Sequence, residues 1–67
     1  MPSPKTVTIT AELSDAEAWY FAQFLKRSSH DTFVRHSDPT NKQEPEFMID
    51  AATKLQRAFA EAGYAPR

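Results

Sequence analysis

Apolar and polar residues alternate strictly near the start of the chain. Val7, Ile9, Ala11 and Leu13 fall on one side, and Thr6, Thr8, Thr10 and Glu12 on the other. A period of two rich in β-branched residues predicts a half-buried strand over residues 5–13. A lone strand leaves half its backbone donors and acceptors unpaired. Its partner is either a later segment of this chain or the same strand of a second copy.

The pattern then changes period. Ser14-Asp15-Ala16-Glu17 is a capping box: the serine hydroxyl accepts the amide three residues on, and the glutamate reaches back. It predicts a helix over 14–27, with Asp15 and Glu17 at the positive end of the dipole and Lys26 and Arg27 at the negative end. Phe24, Phe21, Leu25, Ala18, Ala22 and Trp19 form a continuous face with Tyr20 at its margin. Phe21 and Phe24 read as core on helical spacing. That apolar arc is wider than the stripe of about 100° an ordinary surface helix buries, so this helix needs cover on two sides.

Residues 28–44 read as a polar, irregular loop, long for a compact domain. Within it, Thr32 to Val34 suits either a short strand beside Val7–Ala11 or one helical turn anchored by Phe33. Asp38-Pro39-Thr40-Asn41 reads as a turn. A second helix is expected over 45–62, opened by Pro45 and closed by Gly63, the single glycine of the chain. Its apolar face runs through Phe47, Met48, Ala51, Ala52, Leu55, Ala58, Phe59 and Ala62. Residues 1–4, with two prolines, are expected to fray. The fold expected is therefore α+β, a single domain of strand, helix, long loop and helix, with a strand-paired dimer as one form of it.

Composition narrows the function. A chain of 67 residues makes one domain with a small core, which usually needs a staple. It has no cysteine, so disulfides and thiolate metal sites are excluded. A net charge of −1 lacks the basic excess that non-specific nucleic-acid binding requires. No stretch approaches a transmembrane span, and MPSPKT lacks the apolar core of a signal peptide. A cytoplasmic protein without membrane partners is the expectation.

Catalytic chemistry finds little support. His30, Asp31, His36 and Asp38 share one loop and could in principle ligate a metal, but their spacing fits no known mechanism, and solvated loop side chains are the simpler reading. The serines lie in caps or loops, without a glycine-framed elbow. One glycine cannot build a phosphate-cradling loop. No enzyme activity, metal or cofactor is expected. The margin of the first helix and the following loop make the better binding surface, with Tyr20, Gln23, Arg27, His30, Arg35 and His36 as partner-binding residues.

Two resemblances add expectations. Strand, capped helix and helix in that order resemble the ribbon-helix-helix proteins, in which paired strands enter the DNA major groove. Lys5, Thr6, Thr8 and Thr10 are the DNA-reading candidates under that alternative. The seventeen residues between the helices and the missing basic excess depart from the family's pattern. The run TITAELSDAEAWYFAQFLKR and the ending RAFAEAGYAPR resemble a family of short, uncharacterised proteobacterial proteins of phages, plasmids and genomic islands. That likeness implies a small accessory protein of a mobile element, of the kind that includes anti-CRISPR inhibitors of bacterial defence. Its partner would be a larger protein or ribonucleoprotein complex.

Overall fold

The computed structural model describes residues 5–66; the expected frayed end lies outside them. Three helices follow one another: α1 (Asp15–Arg27), α2 (His30–Arg35) and α3 (Glu44–Glu61). The described residues contain no strand, which overturns the expected α+β class: the fold is all-helical. Residues 5–13 form an arm outside regular structure. The physical reason is the lack of a ladder partner. Thr32–Val34, the one candidate in this chain, is taken into α2, so its backbone bonds run within a helix.

Each helix starts and stops for a local reason. Ser14 caps α1: its Oγ accepts the Glu17 amide at 3.1 Å, and Glu17 Oε1 accepts the Ser14 amide at 2.7 Å. At the other end the Ser28 hydroxyl donates to the Phe24 carbonyl at 2.7 Å, and the chain turns extended. The loop expected over 28–44 therefore contains a helix. Ser29 precedes α2, its amide donating to Thr32 Oγ1 at 3.2 Å. An exposed Asp31–Arg35 ion pair at 3.1 Å spans one turn, a spacing that adds a few tenths of a kcal/mol at most.

The Asp38–Asn41 turn closes with the Asn41 amide on the Asp38 carbonyl at 3.0 Å. The Asp38 carboxylate accepts both the amide and the hydroxyl of Thr40, at 2.9 and 2.8 Å. Those bonds, the backbone one first, hold its carboxyl below the ordinary value. α3 ends in a Schellman motif: the Tyr64 amide donates to the Phe59 carbonyl at 2.7 Å, and the Gly63 amide to Ala60 at 3.0 Å. Gly63 adopts φ +99°, in the left-handed region that favours glycine.

α1 and α3 pack antiparallel, and α2 packs against α3. The core is small: Ala18, Ala22 and Leu25 of α1 and Ala52 of α3 are buried, with Pro45 also buried. The alanines allow close approach, but they bury little area each. The molecule measures 37 × 27 × 16 Å. Among the described residues α1 and α2 each pack against α3 and not against each other. The helices thus form a single layer.

Candidate functional site

One side of that layer is apolar and open. On α1, Phe21 and Phe24 are 43% and 50% exposed, which corrects their reading as core. The buried stripe is Ala18, Ala22 and Leu25, and the two phenylalanines lie beside it rather than in it. They stack on each other at 5.7 Å between ring centres, and Phe21 touches Phe59 of α3 at 5.9 Å. On α3, Phe47, Ala51, Leu55 and Ala58 follow one stripe at helical spacing. Phe47 is 50% exposed and Leu55 45%. The two stripes flank the α1–α3 contact, on the side marked by the Phe21–Phe59 contact.

The arm extends this face. Ile9, Ala11 and Leu13 line a concavity of about 390 Å³ with Ala18, Leu55, Ala58, Phe59, Ala62 and Tyr64. Three odd positions of the alternation thus border the helices at this concavity, although no ladder forms. Ile9 remains exposed. Thr6, Thr8 and Thr10 are exposed on the even positions, and Lys5 is exposed at the arm's start. These four DNA-reading candidates sit on an arm without strand structure.

The other sequence candidates divide into two groups. Tyr20, Gln23 and Arg27 share α1. Tyr20 stands four residues before Phe24 and Arg27 three after it, so both border the apolar face. Tyr20 is exposed, and with Gln23 it lines a shallow hollow beside Asp15, Ala16 and Trp19. His30, Arg35 and His36 lie on α2 or at its end, all exposed. Arg35 is held by Asp31. Among the described residues no hydrogen bond or ion pair joins the two groups.

Opposite ends of the chain meet in a clamp. The Tyr64 ring packs edge-on against Trp19 at 5.1 Å, and its hydroxyl donates to Asp15 Oδ1 at 2.6 Å. That bond is the main reason the Tyr64 hydroxyl sits above its ordinary value. Bonds to Ser14, the backbone amide first, hold Glu17 below its own. Each shifted group is thus accounted for by a cap, a turn or the clamp. Among the described residues no group of three or more His, Asp or Glu side chains gathers as a metal site. None of the described helices is long and apolar enough to cross a membrane.

The whole chain, residues 1–67, matches DUF7706, a family of unknown function. The chain belongs to that family. No curated protein and no solved structure matches it. The apolar face, which sequence reasoning left out of the site, carried one signal: the over-wide arc of the first helix.

Proposed function

We propose that this member of DUF7706 is a small non-enzymatic binding protein that works by covering an apolar surface of another chain. One observation carries the reading. Ile9, Leu13, Phe21, Phe24 and Leu55, all large and apolar, are exposed together on one side of a single helical layer. Monomeric proteins rarely leave contiguous apolar patches larger than a few hundred Å² open, and larger ones mark interaction sites. Tyr20 and Arg27 supply a polar rim, and both residue types suit an interface edge.

The sequence likeness gives this reading its specific form: an accessory protein of a mobile element that occupies a surface of a bacterial defence complex. Affinity capture from a bacterial host lysate, read by mass spectrometry, tests it with two variants beside the native chain. A captured complex lost with Phe24→Glu and weakened with Tyr20→Ala supports the reading. Capture unchanged by both variants refutes the assignment of the surface.

A further inference from the structure

The arm over residues 5–13 carries a pattern that the fold leaves unused. Thr6, Val7, Thr8, Ile9 and Thr10 are β-branched and alternate polar with apolar, yet they form no strand. Among the described residues, positions 6–13 make no hydrogen bond and no ion pair. No polar contact therefore holds this part of the arm where it lies.

Its root, by contrast, is fixed. Leu13 and Ala18 stand at the two staple positions around the Ser14 cap, and both line the concavity beside α3. A staple sets the angle at which the chain enters a helix. Ile9 and Ala11 are thereby brought to the rim of the concavity, opposite Leu55, Ala58 and Ala62.

The seat is apolar and incompletely filled. No charged side chain lines it. The one polar atom on its lining side chains, the Tyr64 hydroxyl, is already bound to Asp15. About 390 Å³ stays open, while Ile9 is 85% exposed. Burying Ile9 there removes apolar surface from water and leaves no polar group unpaired. Length is sufficient: the four residues from Leu13 back to Ile9 span at most about 14 Å, and α3 from Leu55 to Ala62 about 10 Å. Thr6, Thr8, Thr10 and Glu12, on the alternate positions, keep the outer side of a closed arm wet. Any other occupant would have to displace three residues of this chain that already line the seat.

We propose that residues 5–13 are a strap that closes over the Leu55–Ala62 end of the apolar face, seating Ile9 on α3, and that a partner must displace it to reach that end. The strap is autoinhibitory, and this part of the inference rests on the reading above that the face receives a partner. Phe21 and Phe24 lie outside the seat and stay open whichever way the strap stands.

The chain has no cysteine, so an introduced pair reports this contact alone. Ile9→Cys with Ala58→Cys should form a disulfide on oxidation of the full chain at about 5 µM, far below the millimolar effective concentration of a short tether, so that it closes within one copy. Thr8→Cys with Ala58→Cys, one position out of phase, should close at least about tenfold more slowly. If Ala58→Cys disturbs α3, Ala62→Cys at the helix's end takes its place. Equal rates from positions 8 and 9, or no disulfide from position 9, overturn the strap. Binding of anilinonaphthalene sulfonate, an apolar dye, then tests the competition. The locked chain should bind severalfold less dye than the same variant after reduction. Equal, measurable binding in both forms overturns the autoinhibition. Selective closure with no dye bound in either form keeps the strap and removes the interaction surface instead, so the two readings fail separately.

Discussion

The Tyr64 hydroxyl donates to Asp15 Oδ1 at 2.6 Å across 49 residues of chain. It ties the segment after α3 to the first turn of α1, and Trp19 packs on the same ring. The bond requires the protonated phenol. It raises the Tyr64 pKa above the ordinary 10.0. Its stabilisation is therefore complete below the unfolded value and is lost as pH rises through the folded one. Urea midpoints should hold between pH 7 and pH 9 and fall above pH 10.0. Tyr64→Phe should lower the midpoint at pH 7 and flatten that fall.

Glu17 gives the opposite sign. Its pKa is lowered from 4.5 by the bonds to Ser14, so its contribution is present above 4.5 and is lost as pH falls through the folded value. Glu17→Gln retains an acceptor for the Ser14 amide without the charge. Its acid unfolding profile should be shallower below pH 4.5 than that of the native chain. Ser14→Ala, which removes the other half of the box, should cost roughly 1 kcal/mol in chemical denaturation at pH 7.

The local signals in the sequence were the ones that survived. Ser14 and Glu17 announced the start of α1, Gly63 the end of α3, and Asp38-Pro39-Thr40-Asn41 the turn, because each is decided within a few residues. The strand over residues 5–13 failed because a strand is decided by its partner. Thr32–Val34 went to α2 instead, where the Asp31–Arg35 spacing favours a helix. Phe21 and Phe24 failed as core for a related reason. Spacing told which side of α1 they share, but not that Ala18, Ala22 and Leu25 would take the contact with α3. The Tyr64–Asp15 clamp left no local trace at all. Of the candidate surface, Tyr20 and Arg27 were legible as margin residues. The apolar centre they border was visible only as an excess of arc.

Leu25 is the one large aliphatic side chain in the buried stripe. Leu25→Ala should cost about 2–5 kcal/mol, the range for a buried leucine. In a domain with so small a core that is most of the stability. Far-UV circular dichroism at 25 °C should show the variant largely unfolded.

At Gly63 the cost is conformational. A Cβ there meets nothing within 4 Å, so Gly63→Ala introduces no clash. The φ of +99° remains unfavourable for alanine. The substitution should destabilise by roughly 1 kcal/mol, read from the shift in urea midpoint. It should also loosen the Tyr64–Asp15 clamp, which starts one residue on.

The claim that one face of this layer is an interaction surface can be examined by placing a photo-cross-linker at two positions of the same helix. Position 24 lies in the apolar face, and position 26 points to the other side, beside Gln56. Irradiation of the chain, alone and in host lysate, should give cross-links from position 24, to a second copy or to a foreign protein, and few from position 26. Cross-links from position 26 with none from position 24 would place the interaction on the wrong side of the molecule and refute the account.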